Sequence, residues 1–181
     1  AALRSGVRSP LAPPITLKMK KSISLIGMAG AGKSSIGKKL ASHLDFDFVD
    51  SDQLIEAGQN KSLQEILVTN GVERFKKLEE AALMSVEFNQ TILATGGSAI
   101  FSKNAMSHIK QNSLIIYIEV PFQKILDRVK NFSERGFIKK PSQSIYDAFK
   151  DREKLYKKFA DRVVKNSDDI ESCFQKILYL L

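Results

Sequence analysis

Apolar positions fall in short runs separated by stretches with a helical period. Ser22–Ile26 (SISLI), Phe46–Val49 (FDFV), Thr91–Ala94 (TILA) and Leu114–Ile118 (LIIYI) are rich in β-branched or aromatic side chains, and Val163 with Val164 marks a short fifth run. The runs are apolar rather than alternating, which predicts parallel strands covered on both faces. Between them, Ile36, Leu40 and Leu44 recur at i, i+4 and i+8 as one helical stripe. Ser62 to Asn70 predicts a helix that stops at Gly71. Pro121 can open another at its first turn, with Ile125, Leu126 and Val129 facing inward. Phe174, Ile177, Leu178 and Leu181 form a C-terminal stripe. Strands alternating with helices predict an α/β fold with right-handed crossovers, and 181 residues suit one domain.

Two segments break the pattern. Residues 1–18 carry Arg4, Arg8 and Lys18, no acid, three of the five prolines and no periodicity. They read as a disordered leader, either vector-derived or upstream read-through, ahead of a domain spanning 19–181. The minority reading is an organelle transit peptide, which would place the protein in an organelle stroma rather than the cytoplasm. Phe132 to Gln143 (FSERGFIKKPSQ) lacks a clear stripe. It reads as a surface loop or as a mobile lid, placed around residues 132–146.

Composition narrows the function. Apolar residues make up 43% of the chain and charged residues 27%, which excludes wholesale disorder. Cys173 is the only cysteine, so there is no internal disulfide and no multi-cysteine metal site. No apolar run approaches the ~18 residues of a membrane span. The net charge of +8 admits a nucleic-acid partner or small anionic ligands. Three of those charges sit in the leader. The rest mix with acids, as in KKLEE at 76–80, without a basic block interleaved with aromatics. No nucleic-acid partner and no membrane partner is therefore expected.

The first strand runs into Gly27-Met28-Ala29-Gly30-Ala31-Gly32-Lys33-Ser34, a fit to G-x-x-x-x-G-K-[ST]. Chance supplies only roughly 0.006 such matches over ~170 windows. Glycines let backbone N–H groups converge on phosphate oxygens, and the following helix points its positive end at the same anion. Lys33 adds charge toward the β- and γ-phosphates, and the Ser34 hydroxyl can ligate Mg²⁺. This predicts binding of a nucleoside triphosphate.

Asp50-Ser51-Asp52 closes the second strand, at the edge where open α/β sheets bind ligands. The two acids could divide their work, one holding Mg²⁺ through water and the other a substrate hydroxyl; they could equally cap a helix starting near Ser51. Ala94-Thr95-Gly96-Gly97-Ser98 ends the third strand as a turn or as a ligand floor. Arg152 lies in a charge-rich helical run, DREKLYKK, where an exposed side chain is the default. His43, His108 and Cys173 lack partner motifs and read as packing or surface residues.

Taken in order and spacing, GMAGAGKSS at 27–35, DSD at 50–52, GVERFKKLE at 71–79, ATGGS at 94–98, the lid-like segment and DREKLYKKFAD at 151–161 resemble the shikimate kinase family. The resemblance implies a three-layer P-loop kinase fold, with a five-stranded parallel sheet in the order 2-3-1-4-5 and a lid. It implies transfer of the γ-phosphoryl of ATP to a hydroxyl of shikimate or a related hydroxy acid, with Mg²⁺, by a monomer acting in aromatic amino acid biosynthesis. It assigns ATP binding to Gly27, Gly30, Ala31, Gly32, Lys33, Ser34 and Ser35, with Arg128 against adenine. Ser34 and Asp50 would serve the metal. Asp52, Lys76, Gly96, Gly97, Ser98 and Arg152 would meet the acceptor. Lys33, Asp52 and a lid cation, Arg135 (or Lys140), would act on the transferring group.

The chain departs from the family at three places. The family has Arg in F-R-x-x-E where Phe75-Lys76-Lys77-Leu78-Glu79 stands here. Its three-glycine run is Gly96-Gly97-Ser98, and the lid motif R-P-L-L is Lys140-Pro141-Ser142-Gln143. All three fall on the acceptor or lid side, which suggests an altered acceptor. A non-catalytic ATP-binding protein, and a kinase for a sugar acid or nucleotide, are the alternatives.

Overall fold

The computed structural model describes residues 22–129, 139–140, 142–167 and 169–181. The leader 1–18, Arg135 and most of the lid-like segment lie outside the described residues.

Five strands form one parallel sheet: β1 (Ser22–Ile26), β2 (Asp47–Asp50), β3 (Thr91–Ala94), β4 (Ser113–Glu119) and β5 (Arg162–Lys165), in the order β2-β3-β1-β4-β5. The helices are α1 (Lys33–Leu44), α2 (Ser51–Gln59), α3 (Leu63–Met84), α4 (Lys103–Asn112), α5 (Phe122–Arg128), α6 (Ile145–Phe159) and α7 (Ile170–Leu180). This is the expected fold class and strand order. None of these helices is long and apolar enough to cross a membrane.

The strands at the centre are buried on both faces, as their apolar runs predict. β1 and β3 are buried throughout, and β4 almost so. The edge strands are not: β2 is only partly covered and Val163 of β5 is exposed. An outer strand has helices over only part of its surface, so its apolar residues need not be buried. The second strand also starts one residue later than the apolar run. Phe46 N–H donates to Ala41 O, which closes α1 after Asp45 turns left-handed at φ 57°, and pairing with the sheet begins at Asp47.

Helix ends follow their sequence signals. Ser62 and Glu65 form a reciprocal capping box at the start of α3. Gly71, at φ 74° and ψ 170°, breaks that helix where a stop is expected, and a second helical stretch continues to Met84. Ile125 and Val129 are buried, whereas Leu126 is only partly so. Ser144 caps α6, so Ile145 and Tyr146, the last two residues of the expected lid, are helical instead.

The main core lies between sheet and helices, around Leu25, Ile36, Leu40, Ile92, Ile115 and Ile177. A smaller core joins Ile55 of α2 to Leu63, Ile66 and Phe75 of α3. It supports one wall of the candidate site, separately from the sheet. His43 packs edge-on against Phe174, and His108 meets Phe88 and the Val86 carbonyl. Burial pushes the Cys173 thiol up to about 11, which makes it a poor nucleophile.

Candidate active site

Parallel register fixes where the site sits. Leu25 of β1 pairs with Ala94 of β3, and Ala94 pairs with Asp50 of β2. The loops that follow these strands therefore leave the sheet at one edge. They line a cavity of about 550 Å³ that contains Gly30, Gly32, Lys33, Ser34, Ser35, Asp50, Asp52, Gly97, Ser98 and Arg152. Residues 120 positions apart in sequence thus share one space.

On the phosphate side, Gly32 sits at φ 91° immediately before α1, a conformation open to glycine but strained for other residues. The loop feeds directly into α1, whose first residues line the cavity, so the positive end of the helix dipole lies there. Lys33 is buried, and its ammonium is folded onto the loop, donating to Gly27 O at 2.8 Å and Met28 O at 2.7 Å. Asn166, at the end of β5, supports the loop from behind by donating Nδ2–H to Ala31 O at 2.9 Å. Arg128 donates to Gly30 O at 3.3 Å and lines an adjoining cavity of about 610 Å³ with Gly30, Gly32 and Asn166. That places it beside the loop.

Asp50 caps α2 and also meets the phosphate-loop hydroxyl. Its Oδ1 accepts from Asp52 N–H at 3.0 Å, which caps α2, and its Oδ2 accepts from Ser34 Oγ at 2.6 Å. The hydroxyl and carboxylate are hard oxygen donors at a phosphate loop. Such a pair suits Mg²⁺, which takes few protein ligands and completes its shell with water and substrate phosphates.

The acceptor side is built around Gly96. A Cβ at Gly96 would lie 2.6 Å from both Asp52 Oδ1 and Glu79 Oε1, so the missing side chain is what lets these two carboxylates converge. Gly96 N–H is itself held by Ser51 Oγ at 2.8 Å. Arg152 enters from α6 and is only 2% exposed, with its guanidinium 5.4 Å from the Phe101 ring centre. The exposed Arg expected by default in that charged run is thus a buried one. Burial works against its charge, while the nearby Glu79 carboxylate favours it. One turn on, Tyr156 donates its hydroxyl to Gly97 O at 2.6 Å and stacks on Tyr117, which ties the Arg152 helix to the floor of the site.

Among the described residues, two expected cations are not brought in. Lys76 does not line the cavity: its ammonium pairs with Glu73 at 2.8 Å on the solvent face of α3. An i,i+3 partner on the same helix is closer to hand than the cavity floor. Lys140 is exposed and outside the cavity.

One residue with no role expected from sequence is central. Glu79 is 4% exposed and accepts from Ser98 Oγ at 2.8 Å. Burial, with help from the Asp52 charge, pushes its carboxyl up to about 7, against the Ser98 hydrogen bond and Arg152. The signal was available: Phe75, Glu79 and Leu83 form an i, i+4, i+8 stripe, and an acid on an apolar stripe is a buried acid. Tyr156 was legible in the same way, one turn beyond Arg152.

The raised Glu79 carboxyl has a consequence for stability. Its contribution is fully present below the unfolded value near 4.5 and is lost as pH rises through about 7. The cost of ionising it in place is on the order of 3 kcal/mol. Relative to wild type, Glu79→Gln should therefore gain about 5–10 °C in Tm between about pH 5 and 8. Calorimetric melts of both proteins across that range test this, and a constant difference would show that the carboxyl is not held in this way.

Comparison with known proteins agrees with the geometry. The family model described as shikimate kinase matches residues 29–181. A shikimate kinase of Pasteurella multocida (strain Pm70) is 37% identical over 146 residues, covering 78% of this chain and 83% of the relative. One from Sulfurihydrogenibium sp. (strain YO3AOP1) is 34% identical over 139 residues, covering 76% and 83%. The solved shikimate kinase from Acinetobacter baumannii in complex with shikimate is 30% identical, with a TM-score of 0.80 over 90% of this chain and 93% of that one. With likenesses of this extent laid over a cavity that joins a phosphate loop to buried carboxylates and a buried guanidinium, the chain belongs to the shikimate kinase family of ATP-dependent small-molecule kinases.

Proposed function

We propose that this chain transfers the γ-phosphoryl of ATP to a hydroxyl of shikimate. The observation that carries the reading is the placement of Asp52 and Arg152 in the same cavity as the phosphate loop. An acceptor with one carboxylate and several hydroxyls matches that set: Arg152 for the carboxylate, Asp52 for the hydroxyl that attacks. The likeness to a structure described as holding shikimate supports the same class of acceptor.

The reaction is an in-line displacement that depends on positioning and charge neutralisation rather than on covalent catalysis. Loop N–H groups and the α1 N-terminus would receive the phosphates, with Arg128 beside the base. Lys33 would exchange its loop carbonyls for phosphoryl oxygens and stabilise their charge. Ser34 and Asp50 would hold Mg²⁺, Asp50 through water; when bound, the ion neutralises phosphate charge. Asp52 would orient the acceptor hydroxyl and take its proton as the new O–P bond forms and the bond from the γ-phosphorus to the bridging oxygen breaks, releasing ADP. Gly96 and Gly97 let the acceptor approach the backbone floor, and Arg135 is the lid cation in this reading. The protein acts as a cytoplasmic monomer in aromatic amino acid biosynthesis.

The departure at position 76 leaves the acceptor's carboxylate with one guanidinium from the described site, that of Arg152. ATP turnover against a panel of cyclic and acyclic hydroxy acids tests the reading. Shikimate should give the highest kcat/KM; a better acid, or no turnover of any, would refute it and favour an altered acceptor.

A further inference from the structure

Ser98 stands where the chain departs from a run of three glycines, and it does not simply narrow the cavity. It is buried, has an ordinary helical-region backbone (φ −99°, ψ −7°), and spends its hydroxyl on Glu79 Oε1 at 2.8 Å. The same carboxylate oxygen rests against Gly96, as does Asp52 Oδ1. The neighbouring cation on α3, Lys76, is engaged with Glu73. Glu79 is therefore held in the floor by a neutral hydroxyl.

Asp52, from α2, repels the Glu79 carboxylate, while Arg152, from α6, attracts it; the Tyr156 phenol is the other titratable group that acts on this pair. A carboxylate that swings toward Arg152 would compete with an acceptor carboxylate for that guanidinium. We propose that Ser98 is a positioning residue of the acceptor site: its hydroxyl holds Glu79 against Gly96 and so keeps Glu79 from competing with the acceptor for Arg152. The role of Arg152 in this account rests on the proposed acceptor. The Ser98 hydrogen bond also favours the ionised carboxylate, so its loss raises the Glu79 titration further.

The test uses the full chain, with Ser98→Ala, Ser98→Thr, Glu79→Gln and the double variant Ser98→Ala/Glu79→Gln. Steady-state kinetics with ATP and shikimate are measured between about pH 5.5 and 9, together with carbon-13 NMR titration of the Glu79 carboxyl. Ser98→Ala should raise the acceptor KM about tenfold or more and leave the ATP KM in place. It should move the Glu79 titration upward, and Ser98→Thr should restore both. In the Glu79→Gln background, Ser98→Ala should add little, because the carboxylate it restrains is gone. An unchanged acceptor KM and titration would overturn the proposal. So would equal losses for ATP and acceptor with a lower Tm, or additive losses in the double variant. If wild type does not phosphorylate shikimate, the acceptor reading fails by itself. The Glu79 titration then decides the positioning role, an upward shift in Ser98→Ala supporting it and no shift overturning it.

Discussion

Lys33→Met is expected to lower kcat by about 10²–10³-fold or more, with the fold retained. The ammonium is the only side-chain cation of the phosphate loop itself, and in-line phosphoryl transfer has little covalent work for a protein to do. What remains is placing charge where the equatorial oxygens gain it. Met keeps the length and apolar stem of Lys but not the charge. Two loop carbonyls, those of Gly27 and Met28, lose their donor, at about 1 kcal/mol each, or roughly 2–4 °C in Tm per kcal/mol. Steady-state kinetics and a thermal melt separate the effects. Wild-type turnover in the variant would refute the loop's catalytic role, and an unfolded variant would show that Lys33 is chiefly structural.

Asp52→Asn should cost about 10²–10⁴-fold in kcat, the range for loss of a positioned general base. ATP affinity should change little, because the phosphate loop and the Ser34–Asp50 pair are untouched. The amide retains the shape of the carboxylate next to Gly96 but cannot take a proton. A second readout is independent of turnover. The Asp52 charge helps hold the Glu79 carboxyl high, so its removal should move the Glu79 titration downward. Turnover close to wild type would remove Asp52 from the proton transfer, and an unmoved Glu79 titration would separate the two carboxylates.

The two sides of the site differ in how far they could be read in advance. Gly27 to Ser34 is contiguous, its glycines and Lys33 serve a local loop geometry, and the structure places Lys33 and Ser34 in one cavity with Asp50. The acceptor side is assembled from α2, the turn after β3, α3 and α6. There the identity of a residue did not reveal its direction. Lys76 carries the expected kind of charge at the expected motif position, yet Glu73, three residues earlier on the same helix, takes it to the solvent face. Arg152 looks like an ordinary member of a charged run, yet Ala148, Phe149, Arg152 and Tyr156 are the buried face of α6. Glu79 was visible on an apolar stripe, but not its hydrogen bond with Ser98 or its approach to Asp52.

From its sequence alone the chain is a parallel α/β protein with a phosphate loop, because apolar runs, helical period and loop glycines each act over a few neighbouring residues. The family resemblance already grouped Asp52, Ser98 and Arg152 at the acceptor; only the tertiary structure decided that Glu79 shares their floor and that Lys76 does not join them. Those outcomes depend on strand register and helix rotation, which set which side chains meet across up to a hundred residues of chain, and on the low cost of a local ion pair compared with burying a lysine.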